Sequence, residues 1–587
     1  MNDSSASSRS ESSPSEVEQI KAASRYLRGT IAQSLADRLS GALAESDTQL
    51  IKFHGSYQQD DRDLRNERQR QKLEPAYEFM IRVRATGGVL STAEWLELDR
   101  LSDEYGNGSL RLTSRQSVQL HGILKWNLRE AIRRINAAGM TTLATCGDVN
   151  RNVMCCADPT PPELHAPLLE VARRITERLL PRTSAYGELW LAQSPGARGD
   201  SGRAPGTPAT PVAPSDEEPI YGATYLPRKF KIAIAGPPSN DVDVLTNDIG
   251  LIAIADGARL MGFNVAVGGG LGMTHGEPQT YPNLAWIVGF CAVEHAAEVA
   301  EAILIVQRDF GDRSNRKHAR LKYTIADRGV EWFAFELARR LGRPLEPARP
   351  FRFETMGDRF GWRPAPGGRW NLTLYIENGR IRDRSGSALR AGLRAIAEAH
   401  QGTFRLTPNQ NLIVAGVAEA DRPKIDALAR EYGLSDGMDR SPLRRLAMAC
   451  VALPTCPLAM AESERYFPDF LGKLERLLDE SGLAGEEILV RMTGCPNNCA
   501  RAVMAEIGLV GKAVGKYNLH LGGDFAGRRL AALYRENIDE AEILESLRPV
   551  LAAYATGRND GERFGDFAVR AGWVRAVGGG ADFHAPR

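Results

Sequence analysis

Two stretches of this chain repeat each other, and that repeat restricts the folds open to it more than any other feature. GSLRLTSRQSVQLHGI at 108–123 and GTFRLTPNQNLIVAGV at 402–417 share Gly, Arg, Leu, Thr, Gln and Gly at matching positions. Further on, GPPSND at 236–241 matches GCPNNC at 494–499. Both copies then run through IGL, at 249 and 507, into a strand with a glycine turn, FNVAVGGG and YNLHLGGD. Self-similarity of this kind means one module folded twice. FKIAIAG and GLIAIAD read as buried strands and PELHAPLLEVARRITERLL as an amphipathic helix. The expected fold is α/β (α+β), with two related modules about a pseudo-twofold axis.

The differences between the copies point to chemistry. The second copy has Cys495 and Cys499 where the first has Pro237 and Asp241, and Cys450 and Cys456 lie upstream in ACVALPTCPLAM. C-x5-C and C-x3-C pairs from two tight loops suit a cubane iron-sulfur cluster, in which each iron takes one thiolate. Zinc remains an alternative, although five residues between paired ligands strains the usual spacing. Disulfides are disfavoured in a long chain with no secretory signal. Pro457 and Pro496 each follow a cysteine and Gly494 precedes one, so the backbone turns sharply and can aim amides at sulfur. Cys146, Cys155, Cys156 and Cys291 are expected to be small buried residues.

The first copy, in turn, is polar where the second is not: Arg115, Gln119 and His121 stand opposite Asn409, Ile413 and Ala415. Strand alternation through RLTSRQSVQLHG predicts a polar row of Arg111, Arg115, Gln119 and His121. More cations occur at Arg82 and Arg84, at Arg151, and at Arg228, Lys229 and Lys231, where alternation puts both lysines on one face. Any one of these read alone is a solvated surface charge. Together with the asymmetry of the repeat they predict a shared polyanionic ligand.

Over 587 residues, 74 Lys and Arg nearly cancel 73 Asp and Glu, so no overall field marks a nucleic-acid or membrane binder. No run of apolar residues is long enough to span a bilayer, and the expectation is a cytoplasmic protein. Residues 1–20 are Ser-rich and polar and are expected to form a disordered tail. Residues 193–219, rich in Pro, Gly, Ala and Thr, are expected to be a flexible loop.

KFHGSYQQDDRD, RLTSRQSVQLHGIL, DVNRNVMC, YLPRKFK, GFNVAVGGGLG, ACVALPTCPLAMAE, TGCPNNCARA and YNLHLGG resemble the sulfite and nitrite reductase family, from about Lys52 to Phe583. The resemblance is strongest to the haemoprotein components of bacterial assimilatory, NADPH-dependent enzymes. It implies paired ferredoxin-like halves at 70–145 and 365–435, a first sirohaem-binding lobe at 146–360, and a second lobe at 436–575 carrying a 4Fe-4S cluster.

By the same resemblance, Cys450, Cys456, Cys495 and Cys499 would ligate the cluster, with Cys499 also bridging to the sirohaem iron. Arg82, Arg151, Lys229 and Lys231 would hold the substrate oxyanion. Arg111, Arg115, Gln119, His121 and Arg228 would meet the eight carboxylates of sirohaem. The implied reaction is the six-electron reduction of sulfite to sulfide in cysteine biosynthesis, with a sirohaem nitrite reductase as the alternative. A non-catalytic cluster or zinc protein is the reading from another class, and the cation set argues against it. The likeness breaks at Asn498, where the family usually carries Gly; Asn tolerates the left-handed backbone such a loop needs.

GGGLG at 268–272 lacks the G-x-G-x-x-G spacing of a dinucleotide site, and its amides are expected to approach the sirohaem. Electrons would then enter from a diflavin NADPH reductase subunit, or from ferredoxin.

Overall fold

The computed structural model describes residues 13–192 and 218–585. Four five-stranded sheets form two pairs, and the members of each pair share one strand order. The first sheet runs Ser56–Asp60, Tyr77–Val83, Val118–Ile123, Leu110–Leu112, Arg380–Ile381. The second runs Gly361–Ala365, Arg369–Leu374, Leu412–Ala418, Thr403–Leu406, Val89–Ser91. Both are antiparallel throughout. Their last strands are exchanged. Arg380 of the second copy pairs with Arg111 of the first, and Val89 of the first pairs with Arg405 of the second.

Helices Thr92–Glu104 and Leu389–Ala399 close the exchange. Ser91 and Glu94 form a capping box on the first, which fixes where the chain leaves its exchanged strand. Arg394 and Arg390 of the second helix grip the buried Asp99 and the more exposed Asp103 of the first.

The other pair of sheets carries the glycine-turn strands. Met154–Cys155, Ile232–Ala235 and Ile249–Asp256 are parallel, followed by antiparallel Arg259–Val267 and Trp286–Ala292. Met448–Ala449, Val490–Thr493, Ile507–Ala513, Lys516–Leu521 and Ala532–Ile538 repeat the pattern. Parallel strands covered on both faces read as continuous apolar runs, which is why FKIAIAG and GLIAIAD were legible as strands.

Three expectations need correction. Residues 1–12 of the expected tail lie outside the described residues, but Glu16–Ala23 is a helix, with Lys21 buried on Glu18 and donating to Leu226 O at 2.7 Å. The loop expected at 193–219 does not hold at Glu218. Glu218 is buried and accepts from Thr183 N and Tyr225 Oη, while 193–217 lie outside the described residues. Residues 111–121 are not one strand either, because Thr113 N bonds Ser117 O and Gln116 turns left-handed at φ 51°. The polar row therefore runs across strands, Arg380 to Arg111 to Gln119 to Arg82, with Arg115 at a hairpin tip.

No helix among the described residues is long and apolar enough to cross a membrane.

Candidate cofactor and substrate site

Met448–Ala449 and Val490–Thr493 lie in parallel, with Ala449 opposite Met492, so both end at the same sheet edge. The loops that follow carry Cys450, Cys456, Cys495 and Cys499. The edge beyond the carboxyl ends of parallel strands is where open sheets build ligand sites. Gly494 has no room for a side chain, since a Cβ there would stand 2.5 Å from Ala452 Cβ and 2.6 Å from Ala461 O. The polar groups of this turn are aimed at sulfur. Gly494 N donates to Cys450 Sγ at 3.3 Å, Thr493 Oγ1 at 3.4 Å, and Asn497 Nδ2 lies 3.7 Å from Cys495 Sγ.

Burial raises the Cys450, Cys456 and Cys495 thiols, Cys456 to about 12, and the charge of the other cysteines of the set raises each further. The four cysteines thus lie within electrostatic reach of one another. They do not crowd as the ligands of a single ion would. Sulfurs on one tetrahedral zinc stand about 3.8 Å apart, yet among the described residues only Cys155, Cys156 and His165 bring three ligand atoms within 4.8 Å. A cubane carries each ligand on a separate iron and needs the wider set. The residues fit a 4Fe-4S cluster.

Asn498 adopts φ 56°, the left-handed conformation its position requires, and its Oδ1 accepts from Val503 N at 3.2 Å. That bond is unavailable to glycine. An Asn498→Gly chain should keep its cluster but show a modestly shifted midpoint potential in a redox titration followed by visible absorbance; an unchanged potential would remove any tuning role for Asn498.

A buried ion triad anchors the same loop. Asp243 Oδ2 is 2.7 Å from both Arg491 Nη1 and Arg501 Nε. Asp243 and Arg501 each follow a cluster position by two residues, Asp241 in one copy and Cys499 in the other, and both are left-handed, at φ 47° and 57°. They are repeat counterparts bonded to each other across the pseudo-twofold axis. Arg501 also donates to Ser114 O and Pro408 O, the matching tips of the two repeated hairpins, and Ser114 Oγ donates to Cys499 O at 2.8 Å.

The cations divide into two groups. Arg111 is committed within the protein: its Nε binds Glu464 at 2.7 Å and its Nη2 donates to Ala449 O, beside Cys450, while Arg380 holds the other Glu464 oxygen. It positions the cysteine strand rather than presenting a free fork to a carboxylate. Arg82, Arg115, Arg151, Arg228, Lys229 and Lys231 have no carboxylate partner among the described residues. Arg82 Nε, Arg115 Nε, Gln119 Oε1 and His121 Nε2 are buried with no hydrogen-bond partner.

Phe230 is fully buried between Lys229 and Lys231, so both lysines face the same side. Burial and the surrounding guanidiniums push both ammonium groups well below the ordinary lysine range, and Arg115 to about 9. Like charges 5 Å apart repel by about 3 kcal/mol at an effective dielectric of ~20. Six basic side chains without acid partners that act on one another electrostatically call for a polyanion, and an octacarboxylate macrocycle with an oxyanion beside it meets that demand.

Cys146, expected to be an inert buried residue, accepts from Arg82 Nη1 at 2.9 Å, and Arg82 lies 6.0 Å over the Tyr57 ring. Lys52 lies 5.8 Å over the same ring, its ammonium lowered to about 8, mainly by burial. Neither Tyr57 nor Lys52 was singled out from the sequence, although both lie in or beside KFHGSYQQDDRD. The GGGLG expectation is corrected. Gly268, Gly269 and Gly270 donate to Asp248 O, Asn247 O and Asn283 O, which leaves those amides none to offer a ligand. A separate groove of about 590 Å³ touches the cysteine loop only through Pro496 and holds none of the six cations.

Residues 71–138 and 363–432 each match the nitrite/sulfite reductase ferredoxin-like half domain, and residues 175–345 match the nitrite and sulphite reductase 4Fe-4S domain. The last match falls on the copy whose cluster positions are Pro237 and Asp241. The chain is 58% identical over 97% of its length to the sulfite reductase [NADPH] hemoprotein beta-component of Geobacillus kaustophilus, covering 98% of that protein. It is 54% identical to the Bacillus subtilis protein of the same name, over 97% of this chain and 98% of that one. Among solved structures it is similar to the NirA protein of Mycobacterium tuberculosis, with a TM-score of 0.77 and 26% identity over 96% of this chain and 97% of the other. A duplicated fold, four cysteines on two neighbouring loops and a group of cations without acid partners agree with these matches: the chain belongs to the nitrite and sulphite reductase family.

Proposed function

We infer that the chain is the haemoprotein component of an assimilatory sulfite reductase, reducing sulfite to sulfide with six electrons and the release of three waters. The observation that carries this reading is the set of six cations without acid partners, in a chain whose four cysteines meet on two neighbouring loops at one sheet edge. Cys450, Cys456, Cys495 and Cys499 would hold the 4Fe-4S cluster. Gln119, His121, Arg115 and Arg228 would meet the carboxylates of sirohaem. When bound, the coupled cofactors supply the electrons and the metal to which sulfur binds.

The protein supplies charge, orientation and protons. Arg82, held by Cys146, and Arg151, held by Gly147 O, present fixed guanidiniums to the anion. Lys229 and Lys231 add ammonium groups whose protons are loosely held until an anion arrives, which suits them to protonate each sulfite oxygen as it leaves as water. The chain has no dinucleotide fingerprint, so electrons would come from NADPH through a flavoprotein partner, as the names of the relatives indicate for those proteins. Ferredoxin is the alternative donor.

The visible spectrum of the purified, photoreduced protein should be that of a tetrahydroporphyrin and should shift with sulfite. Turnover with sulfite should exceed turnover with nitrite; a colourless protein, or one selective for nitrite, would overturn the reading. Lys231→Met should lower kcat/KM for sulfite about a hundred- to thousandfold, the usual loss for a donor aimed at developing charge, with the ground-state spectrum retained.

A further inference from the structure

One group of ligating side chains lies outside this site. Cys155, Cys156 and His165 bring two sulfurs and a ring nitrogen within 4.8 Å of one another, and all three residues are buried. The sulfurs stand 3.9 Å apart, close to the roughly 3.8 Å edge of two sulfurs on tetrahedral zinc. His165 Nε2 lies 2.8 Å from Cys156 O. A donor Nε2–H there leaves the Nδ1 lone pair free, the orientation in which backbone carbonyls hold metal-bound imidazoles. Arg405 Nη1 is nearly equidistant from the two ring nitrogens, at 3.4 and 3.5 Å, so it sits beside the ring and along neither lone pair.

A fourth group lies nearby, outside the 4.8 Å set and within reach of a side-chain rotation. Asp241 Oδ2 accepts from Ala157 N, the residue after Cys156, at 3.1 Å, while Oδ1 is buried without a partner. Burial raises this carboxyl to about 7. In the repeat, Cys156 is the counterpart of Cys450 and Asp241 that of Cys499. The first copy therefore has soft and acidic ligands where the second has cluster ligands.

Charge leads to the same place. Arg405, the counterpart of Arg111, has no carboxylate partner among the described residues, and its Nε is buried and unbonded; Arg111 has Glu464. In the empty site no acid side chain is paired with the Arg405 charge. Two thiolates, one carboxylate and a dication leave a single negative charge, which Arg405 neutralises.

We propose that Cys155, Cys156 and His165, with Asp241 in the fourth position, form a binding site for a borderline-soft divalent ion such as zinc. The ion ties the strand Met154–Cys155 to the helix Pro162–Arg178. Loading releases the two thiol protons and the carboxyl proton to solvent, with no redox change. A groove of about 470 Å³ lined by His165, Arg173 and Arg405 gives the ion a way in.

The test is metal analysis of the full-length holoenzyme after incubation with equimolar zinc and desalting. One zinc per chain is expected beside the full iron complement, lost in Cys156→Ser and in His165→Gln while iron stays unchanged. Zinc that disappears with Cys495→Ser instead would place it in the cluster loops and overturn the proposal, as would a wild-type chain holding no more zinc than His165→Gln. If a variant fails to fold, alkylation of the unsubstituted chain decides. Zinc should slow modification of Cys155 and Cys156 identified by mass spectrometry, and equal rates with and without zinc would sink the site.

Discussion

A Cys495→Ser chain should purify without its cluster and reduce sulfite at no measurable rate, while Cys291→Ser retains both cluster and activity. Serine keeps the shape of the loop but offers a hard hydroxyl where iron requires a soft thiolate. The other three thiols are each needed for an iron of their own, and the turn that carries Cys495 is fixed by Gly494, which is wedged against Ala452 and Ala461. Cys291 differs in kind: it is a core residue on the strand Trp286–Ala292, its thiol pushed up to about 12 by burial. Iron and acid-labile sulfide per chain, measured with the absorbance, check the pair. A Cys495→Ser protein with full iron content would take that residue out of the ligand set.

Asp243→Asn should destabilise the protein by about 3–5 kcal/mol, the usual cost of removing one partner from a buried ion pair. The backbone contributes little to this loss, since Asn accepts φ 47° as readily as Asp. The penalty is electrostatic, because Arg491 and Arg501 would both lose their counter-charge with no water to replace it. Urea unfolding of the chain before cofactor loading measures the effect without confounding it with cluster loss. Adding Arg491→Met to Asp243→Asn should recover part of the loss, because one of the two stranded cations is then gone. A single variant as stable as the wild type would mean the triad is not closed to solvent.

Much of this was legible in the sequence. The duplication appeared as repeated residues, and the sheets follow it strand for strand. The cysteines announced themselves by spacing, and Lys229 and Lys231 by alternation around Phe230. What escaped depends on pairing between distant segments. The polar row looked like one strand because a hairpin turn at 113–117 contains no glycine, Gln116 taking the left-handed position instead. Arg111 looked like a carboxylate ligand because its partner Glu464 is remote in the chain. The GGGLG amides looked free because Asp248, Asn247 and Asn283, whose carbonyls accept from the three glycines, follow no local rule. Cys146 resembled any core cysteine until Arg82 was found on its sulfur.

The exchanged strands bear on how such a molecule could arise. Were the two copies separate polypeptides, each would complete its sheet with a strand lent by the other, the arrangement of a domain-swapped homodimer. Two identical chains would then present two equivalent clefts. Joining them in one gene frees each cleft to change alone, so that one could collect the four cluster cysteines and the row of cations while its counterpart took a different course. The linkage also makes the dependence permanent, because a half expressed by itself would carry a bare edge beside Leu110–Leu112 or Thr403–Leu406, an invitation to aggregate.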